Sequence, residues 1–157
     1  MYWIEVLVPP ILGALLGLVV WFIQSRIGQI KREQEKLHDE RQKIYSEILE
    51  PYIKLFSQSK SDAEMQKVAR QMTSFDYRKK AFEFTLIGDD KVIHAFNDMM
   101  QYAFKSEERD IEVDTGKMMK LWGNFLLEIR KSVNNPKTSL TNKDMLRGFI
   151  TDIDKWL

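Results

Sequence analysis

The side chains best suited to chemistry in this sequence are two histidines that lie close to carboxylates. His38 is followed by Asp39 and Glu40, and His94 lies four residues before Asp98. Consecutive residues point in different directions around a helix, so the first group is interpreted as a solvated face. A pair spaced i, i+4 could hold a metal ion with further ligands, but a surface pair is the favoured interpretation of the second.

No catalytic motif accompanies these histidines. The sequence lacks a Gly-x-x-x-x-Gly-Lys phosphate loop, a Gly-x-Ser-x-Gly nucleophile elbow and a His-Glu-x-x-His zinc motif. It contains no cysteine, which excludes disulfides and thiolate metal ligands. The sequence therefore predicts a protein that is not an enzyme and that has no cofactor and no bound metal.

Two groups of basic residues could bind a small anionic ligand. One is the run Arg78-Lys79-Lys80. The other flanks the predicted start of the last helix, where exposed N–H groups attract anions. Its members are Lys137, Lys143 and Arg147. Ordinary solvated charge is the favoured interpretation of both groups.

The overall composition suits one folded domain of moderate size. The chain has 157 residues, 30% of them charged, and its net charge is +1. These values are typical of a folded domain rather than of a disordered tail. The small net charge gives no reason to expect a nucleic acid polymer as a partner.

The N-terminal segment predicts a transmembrane helix. The 18 residues from Val6 to Ile23 carry no charge, and a helix of that length covers about 27 Å, close to the thickness of a bilayer's hydrocarbon core. No Lys or Arg precedes this run, whereas six lie within residues 24–43. The positive-inside rule therefore predicts a single-pass protein of the cell's inner membrane, with its N-terminus outside and its C-terminal domain cytoplasmic. A cleaved signal peptide is the competing interpretation, and the lack of a basic residue before the run disfavours it.

A heptad pattern of mostly apolar residues, here called the seam, follows this segment. Its members are Ile23, Ile27, Ile30, Gln34, Leu37, Arg41, Ile44 and Ile48. The spacing indicates one helix that runs from the bilayer to about Pro51 and pairs with another helix. The seam up to Leu37 is expected to pair with copies of the chain, and the part beyond it to pack into the protein's own bundle.

Three further features belong to the same helix. Gly13 and Gly17 form a Gly-x-x-x-Gly pair that would let two membrane helices approach closely. Gln34 and Arg41 are polar residues at seam positions, where such residues set register in coiled coils. A third group, expected to contact lipid headgroups, consists of Arg26, Lys31 and Arg32.

The pattern from residue 44 onward predicts a bundle, so the chain is all-α. The predicted organisation is a membrane anchor over 1–25, a helical stalk over 26–43 and a bundle over 44–157. The bundle helices are predicted over 62–72, 76–87, 89–105, up to Val133 and from Thr141 through Trp156. A charged loop is predicted over 106–110. Ser61 and Glu64 are expected to form a capping box, and Ile53, Leu55 and Phe56 to join the core.

Two stretches, 86–97 (LIGDDKVIHAFN) and 137–147 (KTSLTNKDMLR), resemble a group of prokaryotic single-pass helical membrane proteins. The resemblance implies a membrane location and no activity. The layout of one membrane helix and a cytoplasmic helical module is also similar to that of membrane effectors in prokaryotic antiviral signalling, which respond to cyclic nucleotides.

These features favour a membrane-anchored interaction or scaffold module that is not an enzyme. Its expected partners are the lipid bilayer and either further copies of itself or another membrane protein. A ligand-gated membrane effector, in which a small anion bound to the bundle acts on the membrane helix, is one alternative. An accessory subunit of a larger membrane complex is another.

Overall fold

In a computed structural model of the chain, the described residues are 2–56, 61–108 and 113–157. Within them, side chains are described except for residues 2–16, 56, 62 and 106–108. The described residues form six α-helices and one 3₁₀ helix, and no strand is found among them. The helices are α1 Tyr2–Phe56, α2 Asp62–Thr73, α3 Phe75–Ile87, α4 Asp90–Glu108, α5 Thr115–Val133, α6 Asn142–Leu146 and the 3₁₀ helix Ile153–Lys155. The all-α prediction is confirmed.

The chain divides into two compact units, one ending at Asp39 and the other spanning Glu40–Leu157. The first unit consists of one helical segment, the N-terminal part of α1. The second unit contains the C-terminal part of α1 together with α2 to α6. It begins four residues before the bundle start predicted at residue 44.

No helix in the described part of the chain is long and apolar enough to cross a membrane. Most of the predicted anchor, including Gly13, falls within residues 1–16, whose side chains lie outside the described part.

An aromatic cluster forms the centre of the second unit. The ring centroids of Phe84 and Phe96 lie 5.2 Å apart, and those of Phe96 and Phe125 lie 5.3 Å apart. Trp122 packs against Phe125 at 5.7 Å and against Tyr52 at 4.4 Å. Offset and edge-on ring pairs of this kind stabilise a core beyond the burial of their area. These contacts join α1, α3, α4 and α5.

The connection from α3 to α4 is tied to α1 by two polar contacts. The Nε of Arg41 donates a hydrogen bond to the carbonyl oxygen of Ile87, at 2.7 Å. The hydroxyl of Tyr45 accepts one from the N–H of Asp89, at 2.9 Å. Both bonds satisfy backbone groups that a helix end leaves without a partner. The connection itself needs Gly88, because a Cβ there would lie 2.6 Å from the carbonyl oxygen of Phe84.

The structure confirms some predicted helix ends and corrects others. Thr141 caps α6, and its side chain and that of Asp144 form a capping box. The capping box predicted at Ser61 is wrong, because its side chain makes no capping hydrogen bond. Instead, its carbonyl oxygen accepts from the N–H groups of Glu64 and Met65.

The lengths of several helices also differ from the prediction. α1 continues past Pro51, which is fully buried, as far as Phe56. α4 extends to Glu108, so the loop predicted from residue 106 begins later. The last helix ends at Leu146 instead of running through Trp156, because Gly148 and the β-branched residues after it have low helix propensity.

Candidate interaction surfaces

The first half of the seam is exposed along α1. Ile23, Ile27 and Ile30 are 51, 48 and 52% exposed, and Leu37 is 38% exposed. Gln34, the polar seam position between them, is exposed as well. Their unit has no second helix among the described residues that could cover them. An apolar stripe of this kind on a lone helix is typical of a surface that pairs with another helix.

Gly17 and the basic residues Arg26, Lys31 and Arg32 of this unit are also exposed to solvent. A Cβ built at Gly17 would meet nothing within 4 Å. Arg26 lies over the ring of Phe22, with its guanidinium carbon 5.6 Å from the centroid. Arg32 donates from Nε to the carbonyl oxygen of Gly28, at 3.2 Å. These two and Lys31 are exposed, and their predicted contact with lipid headgroups stays a prediction.

The second half of the seam belongs to the core of the second unit. Ile44 and Ile48 are 5 and 0% exposed, as the heptad pattern predicts for the bundle. Arg41, interpreted from the sequence as a register-setting residue of the stalk, instead reaches the carbonyl oxygen of Ile87. The prediction that Ile53 and Leu55 join the core is wrong, since these side chains are 58 and 39% exposed. Phe56 lies outside the residues with described side chains.

Helix α3 has one buried and one exposed apolar face. Tyr77 and Phe84 are buried, whereas Phe75, Phe82 and Leu86 are 80, 66 and 68% exposed. The three exposed residues are seven and four positions apart, which places them on one side of the helix. Sequence reasoning assigned the whole segment to helix but did not separate the two faces, because both are apolar.

The basic run at the start of α3 is engaged with acidic side chains. The ammonium group of Lys79 lies 3.9 Å from a carboxylate oxygen of Glu83, and that of Lys80 lies 3.5 Å from one of Glu47. Arg78 is exposed. Exposed pairs of this kind contribute little to stability, yet they place a carboxylate beside each lysine, where a bound anion would be repelled.

In the second basic group, too, a lysine is paired with an acidic side chain while other members are exposed. Lys143 is 2.7 Å from a carboxylate oxygen of Asp154 and donates a second bond of 2.7 Å to the main-chain oxygen of Leu157. The bond from Lys143 also holds the pKa of the Asp154 carboxyl below its usual range. Lys137 and Arg147 are exposed. The anion-binding prediction stays a prediction for both groups.

A groove of about 1220 Å³ lies beside the starts of α5 and α6. Lys117, Lys120 and Lys143 line it, together with Trp156 and one acidic side chain, that of Asp114. Sequence reasoning identified only Lys143, although the i, i+3 spacing of the other two lysines would have placed them on one face of a helix. Lys117 lies over the ring of Tyr102 at 4.7 Å, and Lys143 is held by Asp154.

The histidines lie in surface depressions and not in an enclosed site. His38 shares one with Lys31, Gln34, Glu35 and Asp39. His94 lies near Asp98 in another, which Lys91, Glu128 and Lys131 also line. Among the described residues, no three His, Asp or Glu side chains group closely enough to hold a metal ion.

Two buried tyrosines have a raised pKa, and burial is the main cause in both cases. They are Tyr52 and Tyr77. The hydroxyl of Tyr77 donates to the carbonyl oxygen of Ile48 at 3.4 Å, and that of Tyr52 donates to the sulfur of Met100 at 3.6 Å. Both phenols are protonated at neutral pH and act as core side chains with a satisfied polar end.

Comparison with protein-family models, with curated proteins and with solved structures finds no match to this chain. The resemblance carried by residues 86–97 and 137–147 therefore stays a prediction.

Proposed function

We propose that this protein is a membrane-anchored, non-enzymatic interaction module that self-associates through the seam of α1. The observation that carries the proposal is the exposure of Ile27 and Ile30, 48 and 52%, just beyond the uncharged run and on a unit made of one helix. A lone helix in water gains most of its stability by packing its apolar stripe against a partner. Heptad spacing suits a second copy of the same stripe.

The anchor in this proposal is the uncharged run Val6–Ile23, placed in the cell's inner membrane. The run is long enough for a bilayer, and the basic residues that follow it favour a cytoplasmic location for residues 44–157. A test is washing of isolated membranes with alkaline carbonate, which removes peripheral proteins. The full chain stays in the pellet, and a Leu15→Arg variant, with a charge near the middle of the run, is released or fails to insert. Release of the unaltered chain contradicts the anchor.

Self-association is tested by co-purification of two differently tagged copies from detergent extracts. In a dimer, Ile30→Asp removes two buried isoleucines worth roughly 1.5–3 kcal/mol each, which corresponds to a loss of about a hundredfold or more in affinity. The matched control is Ile53→Asp, because Ile53 is also exposed on α1 but lies off the seam.

The proposal expects co-purification of the unaltered chain and of Ile53→Asp, and its loss in Ile30→Asp. Equal co-purification of all three contradicts an interface at the seam. If tagged copies never co-purify while each stays in the membrane fraction, the accessory-subunit hypothesis replaces self-association, and the seam then faces a different protein.

A further inference from the structure

The exposed face of α3 is a second apolar surface, in the other unit of the chain. Phe75 is the most exposed large apolar side chain among those described, at 80%. Phe82 and Leu86 continue the stripe toward the end of the helix. The opposite face of α3 is anchored in the core through Tyr77 and Phe84, so the stripe cannot turn inward without unpacking the helix.

Two opposite charges lie along one flank of this stripe. Lys79 and Glu83 are four residues apart, form a 3.9 Å ion pair and remain 64 and 49% exposed. On a helix these positions follow the same side as Phe75 and Leu86. The stripe is therefore bordered by a positive charge toward its start and a negative charge toward its end.

This arrangement is complementary to itself when one copy is turned end to end. The midpoint between Phe75 and Leu86 and the midpoint between Lys79 and Glu83 both lie at about position 81. A two-fold axis near that position would place Phe75 beside Leu86 of a second copy. It would also place Lys79 beside Glu83 of the second copy, and each contact would occur twice, as in an isologous interface.

We propose that the α3 faces of two copies pair antiparallel, around a two-fold axis near position 81. The order of the two charges favours a second copy as the occupant, because Glu83 of one copy then lies opposite a basic residue of the other. The same carboxylate finds Lys79 in the antiparallel pair.

The size of the exposed α3 face indicates that this pairing needs a second contact between the two copies. Three apolar side chains from each copy bury roughly 800 Å² in total, less than the 1,200 Å² or more of a stable interface. The α3 contact therefore rests on the proposed self-association through the seam, which raises the local concentration of α3 faces.

Cysteine cross-linking tests the antiparallel register, since the natural chain has no cysteine. Full-length Phe75→Cys and Leu86→Cys proteins are oxidised separately and after mixing and re-equilibration in detergent. The inference expects a disulfide-linked dimer only in the mixture. Self-linking of either single variant, with no added yield in the mixture, overturns it. Met65→Cys mixed with Leu86→Cys is the control, because Met65 is also exposed but lies on α2, and no link is expected.

Charge reversal supplies a second, independent readout. In the cysteine backgrounds, Lys79→Glu and Glu83→Lys each place like charges opposite one another and should reduce the mixed cross-link. The double reversal restores the pairing and should recover the yield. Equal cross-link yields in all charge variants overturn the inference. It is also overturned if Glu83→Lys binds more strongly to vesicles of anionic lipid and the double variant does not recover the cross-link yield.

Light scattering on the same samples separates the two proposals. A multimeric mass without the mixed cross-link overturns pairing through α3 and leaves self-association through the seam standing. A monomeric mass overturns the seam proposal, and the α3 pairing with it.

Discussion

Replacing Gly123 with alanine should destabilise the second unit, because this glycine lets α5 and α6 approach closely. It is buried in α5, and an added Cβ would lie 2.5 Å from the carbonyl oxygen of Asn142 and 3.0 Å from its carbonyl carbon. Backbone at the start of α6 would have to move. Overpacking of this kind costs about 1–3 kcal/mol, and the better helix propensity of alanine returns roughly 0.5–1 kcal/mol. The expected net loss is about 1–2 kcal/mol.

Thermal unfolding of the full chain, followed by near-ultraviolet circular dichroism of the aromatic cluster, measures this effect. A loss of that size lowers Tm by roughly 3–10 °C in a unit of about 120 residues. The matched control is Gly148→Ala, because a Cβ at Gly148 meets nothing within 4 Å. That variant should be neutral or up to about 1 kcal/mol more stable. If Gly123→Ala is as stable as Gly148→Ala, the close contact between α5 and α6 is refuted.

Three further predictions concern the polar contacts of the second unit. Tyr45→Phe leaves the N–H of Asp89 without its acceptor and should cost about 1–3 kcal/mol in urea unfolding; an unchanged midpoint contradicts this role. Arg41→Met removes the donor to Ile87 and should speed amide exchange at the end of α3 more than elsewhere, so uniform exchange argues against a local cap. Asp144 has a lowered pKa because it accepts hydrogen bonds at the α6 cap. Its contribution to folding stability is therefore complete above pH 3.8, the ordinary pKa of an aspartate, and is lost as the pH falls through the lowered pKa. Asp144→Asn should therefore reduce the loss of folding stability at low pH. If the variant and the unaltered chain lose stability equally at low pH, other carboxylates cause that loss.

Local patterns in the sequence predicted helices α1 to α5 and some of the helix ends, but not the early end of the last helix. Thr141 was predicted to start the last helix, and it caps α6 in the structure. The capping box with Asp144 was not predicted, and the one predicted at Ser61 is absent. The heptad pattern also predicted burial at Ile44 and Ile48, which the structure confirms. These features depend on residues within a few positions of one another, so periodicity and capping rules describe them well.

Features that depend on distant neighbours could not be predicted in this way. The bond from Arg41 to Ile87 joins residues 46 positions apart, so the arginine looks like a polar seam residue when α1 is considered alone. Phe82 and Phe84 are two positions apart and chemically identical, yet one is 66% exposed and the other is fully buried. Only the packing of α3 on α1, α4 and α5 decides which of its apolar faces is covered.

The mass of the detergent-solubilised full-length protein, measured by light scattering, tests self-association through the seam most directly. Pairing through the seam should give a discrete multimer for the unaltered chain and for Ile53→Asp, and a monomer for Ile27→Asp, which places a charge in the exposed stripe. A monomer for the unaltered chain, or a multimer that Ile27→Asp leaves intact, would contradict it.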